Sequence, residues 1–166
     1  MRALPKIGLR TLKTGLAVFL CLLLFPSEPF FACMTAVFCI QNTVSNSLKV
    51  AFVRGFGTIW GGSIGLIFLC LCRFIRHLEL SSYPTTVLVY LVIAIGIIVI
   101  IQSFNLLKRP ECINIGCIVF LAVTTANADK TPVLYTANRI IETLFGILIA
   151  LLVNRFITPP KENPSN

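Results

Sequence analysis

The stretch "RGFGTIWGGSIG", Arg54 to Gly65, decides the fold class. An arginine opens an apolar run, and glycines follow at 57, 61 and 65, each four residues from the last. At helical spacing these glycines share one face, and a face without side chains lets another helix backbone come close. Eighty-five residues later "RIIETLFGILIA", Arg139 to Ala150, repeats the idea, with Gly146 and Ala150 in the places of Gly61 and Gly65. The second copy differs in carrying Glu142 where the first has Gly57.

Composition supplies the setting for these helices. The chain is 57% hydrophobic and 12% charged, with a mean hydropathy of +0.92, whereas soluble domains carry about 25% charged residues. The charges are also clumped: none lies between Glu79 and Lys108, between Glu111 and Asp129, or between Glu142 and Arg155. Runs of this kind are what a bilayer core demands, since crossing it takes about 20 mostly apolar helical residues. The fold class is therefore all-α integral membrane. The net charge of +8 does not indicate nucleic acid, because the basic residues sit at segment ends instead of forming a polar domain.

Six transmembrane helices are expected, at about 8–25, 30–45, 55–75, 86–104, 112–126 and 138–155, the first, second and fifth short. The first is read as a retained span and not as a cleaved leader, because it has a counterpart in the second half of the chain. Arg10 and Lys13 fall within it, and their long side chains are expected to snorkel to the headgroups. Residues 1–155 form the membrane domain, and the tail at 156–166, "ITPPKENPSN" from Ile157 on, is expected to be disordered. With the N-terminus inside, ten of the 14 Lys and Arg residues fall on inner segments, so both termini are placed in the cytoplasm.

A shift of 85 residues lays Arg54 on Arg139, Thr58 on Thr143, Gly61 on Gly146 and Asn42 on Asn127, and Pro26 lies one place from the image of Pro110. The chain thus reads as two copies of span, short span, polar turn and long span, about 7–75 and 86–155. Three spans is an odd number, so the second copy would lie inverted, as in many secondary transporters.

Each marked residue admits two readings. Gly57, Gly61, Gly65, Gly146 and Ala150 serve helix packing, or faces that slide during transport. An acid such as Glu142 costs about 2.5–3.5 kcal/mol at mid-span on insertion scales. Here it is expected one turn inside its helix, where Arg139 and the helix dipole would stabilise it, or where it would line a pathway. Arg54 and Arg139 suit carboxylates through their planar forks. Asn42 and Asn127, in the turns "QNTVSNS" and "TTANADKT", offer amides to a ligand or merely cap helices; capping is the reading for Ser45, Asn46, Ser47 and Thr131. The segment "SLKVAFVR", 47–54, is amphipathic and is expected at the inner headgroup surface. The polar residues of "CRFIRHLELSSYP", 72–84, read as a solvated connection.

Other chemistry finds no support in the pattern. The seven cysteines fall mostly in apolar runs and the chain has one histidine, His77, so no metal site is expected. There is no glycine-rich phosphate loop, GxSxG or HExxH, so neither an enzyme nor a cofactor is expected.

Three stretches carry a family resemblance: "GLRTLKTGLAVFLCLLLF", "FFACMTAVFCIQNTVSNSLKVAFVRGFGTIWGGSIGLIF" and "NRIIETLFGILIALLVN". They resemble the membrane domain of the bacterial aromatic acid exporter family, within the fusaric acid resistance-like group. The resemblance covers about residues 7–155 and is most specific at Gln41–Gly62. It implies a multi-pass protein of the bacterial plasma membrane that exports aromatic or other small organic carboxylates. Relatives commonly continue into a soluble cytoplasmic domain after the last span, so the expectations here are a short member, a truncated copy, or one piece of a larger assembly with a separate cytoplasmic partner. The glycine face offers a contact for a homo-oligomer. The competing expectation is a membrane scaffold or regulatory subunit that transports nothing.

Overall fold

The computed structural model describes residues 8–25, 29–77, 82–125 and 131–157, the side chain of Ser82 excepted. Six α-helices follow one another: α1 (Leu9–Leu24), α2 (Phe30–Cys39), α3 (Val44–His77), α4 (Ser82–Leu106), α5 (Ile113–Thr124) and α6 (Pro132–Phe156), with a 3₁₀ turn at Pro110–Cys112 before α5. No strand occurs among the described residues. Pro26, Glu79, Asn127 and the tail from 158 on lie outside them, as do the expectations attached to those positions.

Helix length sorts the elements. Three helices are long and apolar enough to cross a membrane: Val44–His77, Tyr83–Leu106 and Pro132–Phe156. At 1.5 Å per residue, α2 and α5 reach only about 15 and 18 Å, short of a hydrocarbon core about 30 Å thick. The outward faces carry side chains such as Phe19, Leu23, Ile67, Phe74, Ile98 and Leu148, and hydrocarbon is the solvent that suits them.

Both glycine-bearing helices start earlier than their apolar runs indicate. The Thr43 hydroxyl accepts the Asn46 amide at 3.2 Å, an N-cap that starts α3 at Val44. The segment 47–54 is therefore the opening of a 34-residue helix and not a separate surface segment, and Ser47, Ala51 and Arg54 on it are buried. Capping falls to Thr43; Ser45 and Asn46 are exposed helix residues. At its other end α3 runs through Arg73 and Arg76 to His77, so these residues are helical and not part of a connection. Pro132 opens α6, with the Tyr135 amide bonded to the Thr131 carbonyl at 3.0 Å. Lys108 ends α4 with a positive φ of 53°. The Lys108 and Arg109 amides return to the Asn105 and Phe104 carbonyls, both at 3.0 Å, in a Schellman turn.

The chain divides into two compact units. The first joins Met1–Phe52 with Glu142–Asn166, so it comprises α1, α2, the opening of α3 and the later turns of α6. Its core is built from small side chains: Ala17, Cys21, Ala32, Ala36, Ala51 and Ala150 among them. Such residues leave room for backbones to approach. A Cβ added at Gly146 of α6 would run into the Ala32 carbonyl oxygen and lie 2.9 Å from its Cα. Arg10 of α1 adds a link, donating from Nε to the Ile40 carbonyl at 3.2 Å just beyond the end of α2.

The second unit, Val53–Ile141, holds the rest of α3, α4, α5 and the opening of α6. Here α5 lies on the glycine face of α3. A Cβ at Gly61 would stand 2.5 Å from the Gly116 carbonyl oxygen and 2.7 Å from its Cα; Gly57 meets Ile115, and Gly65 meets Val123. The face expected to offer an oligomer contact is thus covered within the chain. Phenylalanines fill the remaining space: the Phe104 ring rests on Gly116, the Phe120 ring on Gly96, and Phe68 meets Phe120 edge-on at 5.4 Å.

A side chain forced into either close approach must separate two backbones, which cannot yield as a flexible side chain can. Gly146→Val and Gly61→Val should each destabilise the protein by about 1–3 kcal/mol or more. Gly15→Ala, where a Cβ meets nothing within 4 Å, should be neutral or slightly stabilising. Thermal unfolding in detergent micelles reads all three.

Candidate functional site

In helices this apolar, buried polar side chains are the functional candidates, because each must recover the hydration it has lost. In the first unit Lys13, Thr35, Ser47, Glu142, Thr143 and Asn154 are buried; in the second, Arg54, Thr58, Thr124, Thr136 and Arg139.

Three of those in the first unit form a chain. Lys13 Nζ donates to Asn154 Oδ1 at 3.0 Å, and Asn154 Nδ2 donates to Ser47 Oγ at 2.8 Å. Ser47 Oγ also accepts the Gln41 backbone amide at 3.0 Å. The chain links α1, α6 and the first turn of α3. Lys13 does not snorkel: only 4% of it is exposed. Ser47 likewise does more than close a turn.

The signal for this cluster lay in spacing. Lys13 stands at i−4 and i−8 from Ala17 and Cys21, the other buried residues of α1. Asn154 continues the Gly146 and Ala150 stripe of α6, and Ser47 precedes Ala51 by one turn. A polar residue in register with a small-residue stripe faces the helix partner and not lipid.

Glu142 changes its meaning in the structure. It is the eleventh residue of α6, about 15 Å along the axis from the helix start, and 1% exposed. The dipole acts within the first turn, so the expectation of a carboxylate stabilised near its helix start does not hold. Glu142 is a mid-helix acid inside protein.

In the second unit Arg54 and Thr58 lie one turn apart on the same buried face of α3, at 5% and 1% exposure. Thr124 and Thr136 satisfy their hydroxyls on their own helices, donating to the Phe120 and Pro132 carbonyls, both at 2.9 Å. The buried Thr58 hydroxyl has no hydrogen-bond partner among the described residues. Arg139 on α6 places its guanidinium 4.8 Å from the Tyr135 ring centroid, within cation–π range.

Of the residues marked in the sequence, Arg54 and Arg139 thus belong to the second unit and Glu142 to the first. Asn42 is exposed in the turn before α3, and Asn127 lies outside the described residues. No group of three or more His, Cys, Asp or Glu side chains that could hold a metal occurs among the described residues.

A family model described as aromatic acid exporter family member 1 matches residues 5–157 of the chain. The chain belongs to the aromatic acid exporter family. It is also similar to UPF0421 proteins. One from Staphylococcus haemolyticus is 33% identical over 162 residues, covering 93% of this chain and 44% of the relative. One from Bacillus cereus is 30% identical over 157 residues, covering 93% of this chain and 40% of the relative. The chain spans less than half the length of these curated relatives. Membership makes this a membrane protein of an exporter family, and an exporter family is not an enzymatic one.

The Lys13–Asn154 bond should show coupling in a double-mutant cycle. Lys13→Met leaves the Asn154 carbonyl unpaired, and Asn154→Leu leaves a buried ammonium without its acceptor; each should cost about 1–3 kcal/mol or more. The double variant should cost less than the sum of the two, by about 1 kcal/mol or more.

Proposed function

We propose that the chain is the membrane domain of a secondary exporter of aromatic or other small organic carboxylates in the bacterial plasma membrane, with both termini cytoplasmic. The observation that carries this reading is the buried pair on α3: Arg54, with a fixed positive charge, and Thr58, whose hydroxyl has no partner. A buried hydroxyl without a hydrogen bond costs about 1–3 kcal/mol, a cost that a passing carboxylate would offset. Arginine and hydroxyl together suit a carboxylate, the first as a charge-assisted donor and the second as a neutral one. Arg139, held over Tyr135, supplies a second cation and an aromatic face of the kind an aromatic acid would meet. Glu142, buried at mid-helix, couples or gates the movement.

The architecture behind this reading is an inverted repeat of three helices. Its support is a matched pair of close contacts: Gly61 of α3 on Gly116 of α5, and Gly146 of α6 on Ala32 of α2. The long helices match at a shift of 85, whereas Ala32 and Gly116, like Pro26 and Pro110, match at 84. A one-residue difference confined to the short helix is what a single deletion or insertion before it would leave. The homo-oligomer expected from the sequence remains part of the proposal, resting now on the exposed apolar faces and not on the glycines.

The test is efflux of aromatic carboxylates from proteoliposomes. Wild-type protein should carry benzoate-like anions, Glu142→Gln and Arg54→Gln should lower flux at least tenfold, and Thr58→Val should lower it by less. Each should keep the wild-type unfolding temperature within a few degrees, except Arg54→Gln. Absence of flux for every anion from folded protein would reject the exporter and favour a scaffold.

A further inference from the structure

The Lys13–Asn154–Ser47 chain has a feature that helix packing does not account for. An ammonium carries three N–H donors. Among the described residues, Lys13 Nζ meets one hydrogen-bond acceptor, the neutral Asn154 carbonyl, while the residue is 96% buried. A buried cation is ordinarily matched by an anion or by several acceptors. Among the described residues two of its donors have no acceptor.

The proposed repeat allows a comparison of the two units. At a shift of 85, Lys13, Asn154 and Ser47 correspond to Ile98, Leu69 and Pro132. All three counterparts lie in the second unit and none is polar; Leu69 is a core residue there, whereas Ile98 is exposed.

We infer that Lys13 is a carboxylate-binding residue of the first unit, with Asn154 Oδ1 occupying in the unliganded protein the place of a ligand oxygen. This rests on the export reading for the identity of the anion. A carboxylate arriving at Lys13 takes over the bond to Asn154 and receives the two remaining donors. Asn154 then retains its bond to Ser47, which keeps the amide oriented. The ammonium is a compact charge that accepts a carboxylate without demanding the in-plane geometry an arginine imposes. Lys13 lies in the second turn of α1 and Asn154 in the last turns of α6, so this contact is at the end of the first unit near both termini. In the proposed orientation that end is cytoplasmic, the side from which an exporter loads.

The experiment uses the detergent-solubilised chain with benzoate as probe, reading affinity by titration calorimetry and folding by thermal unfolding. Lys13→Arg should bind benzoate within a few-fold of wild type. Lys13→Met should weaken binding at least tenfold. Asn154→Asp is the sharper variant: a carboxylate one atom different from the amide occupies Lys13 permanently, so the unfolding temperature should rise while benzoate binding falls at least tenfold. If Asn154→Asp is stabilised but binds benzoate like wild type, the Lys13 contact is structural and the inference is overturned. It is overturned equally if folded wild-type protein binds no benzoate, or if Lys13→Met binds it unchanged. Lys13-dependent binding without flux in proteoliposomes would support the site and reject the export reading.

Discussion

Backbone-to-backbone contact between helices is the constraint on which the structure depends. In hydrocarbon, apolar side chains gain little by meeting one another, since lipid tails are equally apolar. Association then relies on dense packing and on the few polar groups that lipid cannot satisfy. Gly61 against Gly116 and Gly146 against Ala32 meet the first requirement, each within its own unit. They bring a short helix close enough to a long one that a methyl group would not fit. Around them the two units use different filling. The first relies on alanine and cysteine, and the second on phenylalanine rings resting on glycines.

Polar side chains meet the second requirement, and the two units again differ. The first unit holds a linked series, lysine to asparagine to serine, and a mid-helix glutamate. The second holds arginines, one stacked on tyrosine, and a threonine hydroxyl with no partner. Stability alone favours apolar residues at such positions. The chain keeps charged ones in the interior of helices whose outer faces are leucine, isoleucine and phenylalanine. That distribution, and not the fold by itself, is what the proposed function rests on.

Much of this was legible from residue spacing. The six helices followed from charge-free runs, and the packing faces followed from glycines four apart. Arg54, Arg139 and Glu142 stood out because charge is rare in such segments. The start of α3 was misjudged because hydropathy marks the apolar portion of a helix, whereas Thr43 marks its beginning; Thr131 and Pro132 did mark the start of α6, but the position of Glu142 was judged from the apolar run. That error moved Glu142 from a helix terminus to a helix middle and changed the physics that applies to it. Lys13 was misread for a different reason. A lysine near the end of a span ordinarily extends to the headgroups, and only its register with Ala17 and Cys21 pointed inward. Asn42 and Asn127 drew attention through their place in the repeat, yet Asn42 is exposed.

The two compact units do not coincide with the two halves of the proposed repeat. Residues up to Phe52 pack with residues from Glu142 on, while everything between forms the other unit. A ribosome delivers the chain in order, so α1 and α2 leave it long before the turns of α6 that complete their core. The later unit in sequence is the first that can close, and the earlier one must wait in the bilayer, half built. During that interval Lys13 has no Asn154 to accept its hydrogen bond, and Gly146 does not yet cover Ala32. Assembly of the N-terminal helices is thus a late event, decided by the last residues of the final helix.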